Sequence, residues 1–167
     1  MIELSRVDSP IGILTLAVSG RGLHALHLGA DGLEPFKEPT REVKRPPREI
    51  AEALEAYFGG ALRAIDDVPV CAEGTPFQHR VWDALRTIPA GQTWTYGHLA
   101  HAIGHPTAVR AVGAANGRNP VAIVVPCHRV IAANGTLHGY GGGLDKKRWL
   151  LQHEGSWPKQ FGVFGES

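Results

Sequence analysis

The chain of 167 residues has little cysteine and no long run of apolar residues. Its two cysteines, Cys71 and Cys127, are too few for a disulfide framework or for a zinc site built from grouped cysteines. The longest aliphatic run, residues 121–125, is far shorter than the roughly 20 residues that span a bilayer. The first ten residues include charges and lack the apolar core of a signal peptide. These absences predict a cytoplasmic protein with reduced thiols.

Charge is divided unevenly along the chain. Residues 1–75 have a net charge of −4, whereas residues 76–156 have a net charge of +5 and seven of the nine histidines. A basic half of this kind is typical of a surface that faces a polyanion such as nucleic acid. A chance excess of cations on a solvated surface would give the same count, so the charge pattern leaves both interpretations open.

The first half of the sequence predicts a small sheet followed by a helix. Three alternating apolar and polar stretches, separated by "SPIG" and "SGRG", predict an antiparallel meander over the first thirty residues. Residues 29–47 are rich in Gly, Pro, Glu and Lys and predict a loop. Apolar residues then recur with helical spacing up to Gly59: Ile50, Ala53, Leu54, Tyr57 and Phe58. We place a domain boundary after residue 74, where the charge changes sign.

The second half is predicted to be mainly helical. Thr75 and Pro76 can begin one helix, and Thr95 can cap another that Gly104 ends. A further short helix around residues 109–117 would follow, and residues 145–154 predict the last one. Two short helices joined by a glycine-containing turn are typical of a helix-turn-helix, although an ordinary helical hairpin shows the same pattern. The domains predicted are 1–74 and 75–155, with a tail over 156–167.

Residues 123–131, "IVVPCHRVI", place a thiol, an imidazole and a guanidinium side by side. Pro126 cannot donate to a strand ladder, so we expect a turn that could present Cys127 as a nucleophile. Neighbours in a strand point to opposite faces, so His128 would act on the thiol only through such a turn or through a water. Glu154, at the end of the last helix, is the candidate partner for the imidazole. The alternative is that Cys127 is a small buried apolar residue.

The same residues resemble a known family, the O6-alkylguanine-DNA alkyltransferases. The motif Pro-Cys-His-Arg-Val at 126–130 carries the resemblance, with "TYGHLA", "RAVGAANGRNP", "GYGGG" and "HEG" at the family's spacing over residues 75–155. The resemblance implies an α+β protein. Its N-terminal domain would be a small ribonuclease-H-like α/β domain with an antiparallel sheet. Its C-terminal domain would be mainly helical, with a winged-helix-like helix-turn-helix.

The resemblance also implies a function, direct-reversal DNA repair. The alkyl group of O6-alkylguanine, and also of O4-alkylthymine, would pass irreversibly to Cys127 in a single turnover after the nucleotide is flipped out of the duplex. The implied partner is double-stranded DNA, and no membrane, cofactor or metal is expected. The protein is expected to act as a monomer, and assembly of several copies on DNA is left open.

Roles for individual residues follow from the resemblance alone. His128 would accept the thiol proton through a water, Glu154 would orient His128, Asn119 would brace the turn, and Tyr96 would act as donor to the leaving guanine. The residues implied to meet DNA are Arg110, as a finger that fills the gap in the duplex, Ala111, Gly113 and Thr95. Those implied to line the base pocket are Tyr140, Val130, Gly141 and Gly142. Arg129 is expected to be structural or to face a phosphate.

Two other functions compete with this one. A Cys-His hydrolase would need an oxyanion hole and a third orienting residue, and no local peptidase signature is present. A non-catalytic DNA-damage sensor of the alkyltransferase-like type would lack the active cysteine, so Cys127 argues against it. Position 141 is Gly where some members of the family have Ser, which leaves the tolerance of bulky alkyl groups open.

Overall fold

The computed structural model describes residues 1–33, 35–137 and 139–157, which form two compact units. The first unit comprises Met1–Glu73 together with Pro120–Val124, and the second comprises Gly74–Asn119 and the residues from Val125 onward. The prediction kept each domain continuous in sequence, whereas the structure returns residues 120–124 to the first unit. Backbone hydrogen bonds explain this return, because Leu26 N donates to Pro120 O and Ala122 N donates to Leu26 O, both at 3.0 Å.

A four-stranded sheet forms the core of the first unit. The strands β1 (Ile2–Val7), β2 (Leu14–Ser19), β3 (Gly22–Leu28) and β4 (Thr40–Glu42) lie in the order β3-β2-β1-β4. The three strands predicted as a meander are antiparallel, with Leu4 opposite Ala17 and Leu16 opposite Leu26. The side chains of β2 and β3 are nearly all buried, so this part of the sheet is covered on both faces.

The prediction of a loop over residues 29–47 is wrong in its last part, where β4 lies. This strand is parallel to β1, and all three of its residues are exposed. Its pairing comes from the backbone, since Ile2 N donates to Pro39 O at 3.0 Å and Val43 N donates to Leu4 O at 2.8 Å. A three-residue strand that is exposed throughout shows no alternation of apolar and polar residues, so no sequence pattern predicts it.

Helix α1 (Arg48–Phe58) follows, as the apolar spacing predicts. Ile50, Leu54 and Tyr57 are its buried residues, and the chain leaves the helix at Gly59.

Backbone strain occurs in the first unit at Ile123, the single described non-glycine residue with positive φ, at +71°. A β-branched residue rarely adopts this conformation, which costs on the order of 1–3 kcal/mol. The side chain of Ile123 is fully buried, and that packing holds the conformation.

The described part of the second unit contains four α-helices: α2 (Pro76–Leu85), α3 (Tyr96–Ala102), α4 (Val109–Gly117) and α5 (Leu144–His153). Helix α2 begins with a capping box in which Thr75 and Gln78 satisfy each other's backbone N–H groups, and α3 begins where Thr95 Oγ1 accepts from His98 N. Both caps confirm the predicted helix starts. None of the helices in the described part of the chain is long and apolar enough to cross a membrane.

A short parallel pair of strands joins the residue pair before α3 to the segment between α4 and α5, which also contains a tight turn. Strand β5 (Trp94–Thr95) pairs with β6 (Val130–Ile131), and one turn of 3-10 helix over Cys127–Arg129 comes directly before β6. The turn expected after Pro126 is therefore present, with Arg129 N donating to Pro126 O at 3.0 Å. Of the predicted tail, Ser156 is buried and donates to Leu151 O, whereas residues 158–167 lie outside the described residues.

Candidate active site

Cys127 lies at the start of the 3-10 turn and is buried. Burial raises the pKa of its thiol, because the charged thiolate loses solvation; a hydrogen bond from the side chain of Asn119 and the positive charge of Lys147 act in the opposite direction. The burial effect is the largest, so the resting sulfur is a protonated thiol at neutral pH. A base is therefore needed to generate the nucleophile.

His128 and Glu154 form a fully buried pair beside this thiol. His128 Nε2 lies 2.9 Å from Glu154 Oε2, and both side chains have no exposed area. Burial lowers the pKa of His128, although Glu154 opposes that shift, so the imidazole is neutral at pH 7. With Nε2–H donating to the carboxylate, Nδ1 is an acceptor, and within residues 1–33, 35–137 and 139–157 it has no hydrogen-bond partner. The pair is thus arranged to accept a proton.

Arg129 completes a buried charge cluster with Glu154. Its Nε donates to Glu154 Oε1 and its Nη2 donates to Glu154 Oε2, both at 2.9 Å, and its Nη1 donates to Ile88 O at 2.6 Å. Burial alone would raise the pKa of Glu154, but His128 and Arg129 hold it well below its usual range. Of the two expectations for Arg129, the structural one is confirmed and the phosphate-facing one is wrong, because the side chain is buried against Glu154.

Asn119 braces the chain just before the nucleophile. Its Nδ2 donates to Val125 O at 2.8 Å, across the segment that returns to the first unit. The same side chain is hydrogen-bonded to the Cys127 thiol. Asn119 thus contacts both Val125 and the thiol, and its role in bracing the turn stays a prediction.

Tyr96 is the first residue of α3 and is half-buried. Burial raises the pKa of its phenol, and the Cys127 sulfur raises it further, so the hydroxyl keeps its proton close to the thiol. Gly113 of α4 lies against the Tyr96 ring, since a Cβ built on Gly113 would come within 3.8 Å of Tyr96 Cδ1. The structure therefore places Gly113 beside Tyr96, on the half-buried side of α4.

Lys147 is a member of this site that sequence reasoning missed. It is fully buried on α5, and its Nζ donates to Val130 O at 2.7 Å. Burial lowers the pKa of Lys147 to about 8, while the Cys127 sulfur acts to raise it. A signal was present, because Lys147 precedes the apolar Leu150 and Leu151 by three and four residues and so shares their face of the helix.

The outer face of α4 is exposed and built from small and basic residues. The exposed residues of α4 are Val109, Arg110, Ala111, Ala114 and Gly117, and Arg118, directly after the helix, is exposed as well. Val112, Ala115 and Asn116 are buried, and Ala115 O accepts from Trp82 Nε1 at 2.9 Å. Arg110 and Ala111 are therefore exposed to solvent, and their contact with DNA stays a prediction. Thr95 is half-buried, and its hydroxyl caps α3.

The residues predicted to line a base pocket lie in two places. Val130 is buried in β6, directly after the turn that holds Cys127. Tyr140, Gly141 and Gly142 belong to the loop before α5, where Tyr140 and Gly142 are half-buried and Gly141 is exposed. Gly143 N donates to Tyr140 O at 2.9 Å and closes this loop.

Comparison with known proteins identifies the family. Residues 76–156 match the model of the 6-O-methylguanine DNA methyltransferase DNA-binding domain, and residues 4–72 match that of its ribonuclease-like domain. The chain belongs to the 6-O-methylguanine DNA methyltransferase family. It is 52% identical to the methylated-DNA–protein-cysteine methyltransferase of Mycolicibacterium paratuberculosis over 92% of this chain and 93% of that protein.

Solved structures agree with this membership of the 6-O-methylguanine DNA methyltransferase family. The O6-methylguanine methyltransferase of Mycobacterium tuberculosis is similar with a TM-score of 0.83 and 46% identity, over 99% of this chain and 100% of that one. A structure of the same organism's enzyme in complex with DNA is similar with a TM-score of 0.81 and 46% identity, over 92% of this chain and 93% of that one. The predicted family and the predicted α+β fold are both confirmed.

Proposed function

We propose that Cys127 is the alkyl acceptor of a single-turnover DNA repair reaction. Membership of the family gives the reaction class, which is repair of DNA by transfer of an alkyl group to a cysteine of the protein itself. The proposal adds the acceptor residue and the lesion, O6-alkylguanine in double-stranded DNA. The observation that carries it is the buried hydrogen bond between Glu154 and His128, the residue that follows Cys127 in the turn, with Nδ1 of His128 left as an acceptor.

The chemistry is a displacement at the alkyl carbon. The sulfur of Cys127 forms a bond to that carbon while the bond from the carbon to guanine O6 breaks. The thiol proton passes to His128 Nδ1 through a water, and Glu154 stabilises the imidazolium that forms. Tyr96 donates a proton to the departing guanine and is reprotonated from the imidazolium, so the thiol proton ends on guanine. The thioether left on Cys127 is not readily hydrolysed, and each molecule acts once.

Lys147 and Asn119 support the step electrostatically. The ammonium group of Lys147 stabilises the thiolate as it develops, and the amide of Asn119 donates to the sulfur. Both groups are in place before DNA binds, so little reorganisation is needed when the negative charge appears. We propose the same site for O4-alkylthymine, whose alkyl carbon is bonded to an equivalent exocyclic oxygen.

DNA is the partner that α4 would meet. The small residues Ala111, Ala114 and Gly117 on its exposed face permit close approach to a groove, and Arg110 and Arg118 flank them with positive charge. Because Cys127 is buried, the damaged nucleotide has to leave the base stack to reach it, and Arg110 would fill the gap in the duplex. Action as a monomer and a cytoplasmic location stay predictions.

Mass spectrometry tests the acceptor directly. The protein is mixed with a duplex oligonucleotide that contains one O6-methylguanine, and peptides are mapped for added methyl groups. We expect one methyl group per protein molecule, confined to Cys127 and absent in Cys127→Ser. The variant Cys71→Ser is the matched control and should be methylated as the wild type is. Demethylation of the DNA without a modified cysteine would overturn the proposal.

A further inference from the structure

Arg80 of α2 contacts the turn that joins α3 to α4, and the reaction above gives it no role. Its Nη2 donates to Ile103 O at 2.5 Å, and its Nη1 lies 3.0 Å from His105 Nε2. A guanidinium can only donate, so Nε2 of His105 is the acceptor. The ring of Phe77, also on α2, lies edge-on to the His105 ring, with 6.1 Å between the ring centroids. Two side chains of one helix thus hold the same turn.

The end of α3 explains why a donor is useful at this turn. A helix leaves its last carbonyl groups without partners inside the helix. Backbone N–H groups bind two of them at 3.0 Å, in the Schellman arrangement: His105 N to Ala100 O and Gly104 N to His101 O. Gly104 permits this ending because its φ is +79°. The next carbonyl is that of Ile103, the C-cap residue, and Arg80 supplies its donor.

The start of α4 depends on the same turn. No described side chain caps α4 at its N-cap residue, Ala108. The backbone N–H of Ala108 donates to His105 O, and Val112 N donates to Ala108 O, both at 2.9 Å. Arg110 is the second residue of α4, so the direction in which it leaves the helix follows from where the helix begins. The position of Arg110 is therefore set by the turn that Arg80 holds.

We propose that Arg80 is a positioning residue for transfer from duplex DNA. Its guanidinium fixes the turn and thereby the start of α4, from which Arg110 reaches the duplex in the function proposed above, on which this inference rests. In this role Arg80 touches neither the DNA nor Cys127. The planar fork of arginine is required, because two different nitrogens bind Ile103 O and His105 Nε2 at once. A lysine has the same charge but only one nitrogen.

A direct contact between Arg80 and a DNA phosphate is the alternative, since the side chain is exposed. A phosphate contact needs a positive charge, so lysine would replace arginine. Its loss would also make the logarithm of the binding constant less dependent on the logarithm of the salt concentration, by about one unit of slope. A brace within the protein behaves differently on both counts. Lysine does not restore it, and its loss leaves the slope unchanged.

Transfer rates of Arg80→Ala and Arg80→Lys test the proposal. Alkylation of Cys127 is followed with a duplex that contains O6-methylguanine and with free O6-benzylguanine. Both variants should react with the duplex on the order of tenfold more slowly than the wild type, the loss expected for a hydrogen bond to a charged group. Both should react with the free base at close to the wild-type rate. Full recovery of the duplex rate in Arg80→Lys would overturn the brace.

The salt dependence of duplex binding gives a second test on the same variants. Its slope should be the same in Arg80→Ala as in the wild type. Arg118→Ala is the matched control, because Arg118 is an exposed arginine directly after α4 and its loss should reduce the slope. A slope reduced equally in Arg80→Ala and Arg118→Ala would overturn the proposal in favour of a phosphate contact.

Amide hydrogen exchange reports the brace without DNA. The N–H groups of Ala108 and Val112 should exchange faster in both Arg80 variants, whereas that of Glu154, bonded to Leu150 O at the end of α5, should not. Thermal unfolding establishes that each variant is folded. A folded Arg80→Ala with wild-type exchange at Ala108 and a wild-type duplex rate would overturn the role of Arg80. No transfer to Cys127 in the wild type would overturn the function, and with it any role for Arg80 in transfer.

Discussion

Arg129 donates to both carboxylate oxygens of Glu154, with Nε 2.9 Å from Oε1 and Nη2 2.9 Å from Oε2. Glu154 Oε2 also lies 2.9 Å from His128 Nε2, so one buried carboxylate holds two cationic or donor groups at once. The guanidinium fixes the carboxylate in position, and the carboxylate in turn fixes the tautomer of the imidazole. Arg129, which follows His128 in the sequence, therefore supports His128 indirectly, through Glu154.

Removal of this guanidinium should destabilise the fold. Arg129→Gln leaves Glu154 as a buried charge without its bidentate partner, and such a change costs about 3–5 kcal/mol. The free energy of unfolding, measured by urea denaturation at pH 7, gives the size of the loss. Arg148→Gln on the exposed side of α5 is the matched control and should change it by less than about 0.5 kcal/mol. Similar losses for the two variants would contradict the buried cluster.

The pH dependence of transfer should report the proton acceptor. Burial lowers the pKa of His128, so the wild-type rate should fall in acidic solution and be constant from near-neutral pH up to about pH 8, where Lys147 begins to lose its proton. His128→Gln keeps a donor to Glu154 but no base, and should be about 10²–10⁴-fold slower at pH 7.5. Because burial raises the pKa of the Cys127 thiol, which has no base in this variant, the rate should increase about tenfold per pH unit up to about pH 8, where Lys147 begins to lose its proton. A rate for His128→Gln that does not depend on pH would contradict the role of His128 as the proton acceptor.

Lys147 should give the fold a pH-dependent stability. Its pKa is about 8 in the folded protein and about 10.4 in an unfolded chain, so between these values the unfolded chain holds a proton that the folded protein lacks. Stability then rises with pH, by about 3 kcal/mol over the whole interval. The comparison is made by urea unfolding in a Cys127→Ser background, which removes the titration of the thiol. Lys147→Met should lack the rise, and the same rise in both proteins would contradict the burial of the charge.

Arg110 should matter for duplex DNA and not for the chemistry itself. Arg110→Ala removes the side chain that would fill the gap in the duplex, and transfer from an O6-methylguanine duplex should slow by at least about tenfold. Reaction with free O6-benzylguanine needs no flipping and should be nearly unchanged. Both rates are followed by methylation or benzylation of Cys127. Arg118→Ala, on the same exposed face, should weaken duplex binding by charge alone and lose that effect as salt is added. Equal losses on both substrates for Arg110→Ala would contradict the finger role.

The first unit offers a test of its own at Gly22. This residue has φ of +133°, and a Cβ there would lie 2.8 Å from Pro69 O, a backbone atom that cannot move aside easily. Gly22→Ala should therefore lower the free energy of unfolding by about 2 kcal/mol or more. Gly20→Ala in the same turn meets nothing within 4 Å and should change it by less than about 0.5 kcal/mol. Thermal or urea unfolding of the two variants gives both free energies. Similar losses for Gly22→Ala and Gly20→Ala would contradict a special conformational requirement at Gly22.

Local sequence signals determined the elements that depend on neighbouring residues. The alternation in β1–β3, the apolar stripe of α1 and the caps at Thr75 and Thr95 operate over a few residues, and they lie where they were predicted. The turn at Cys127 could also be predicted, because Pro126 has no backbone N–H to donate to a strand ladder. The motif around that turn, with Glu154 at the end of the last helix, was enough to identify the family.

Tertiary structure decided what depends on segments far apart in the chain. Strands β4, β5 and β6 are two or three residues long and exist through backbone hydrogen bonds to distant partners, which no periodicity records. The same holds for Arg129, which contacts Glu154 and not a phosphate. This contact depends on the packing of α5. The burial of Lys147, which is on α5, follows from that packing too. A sequence specifies which residues are reactive, but the environment that sets their charge and partners is made only when distant segments meet.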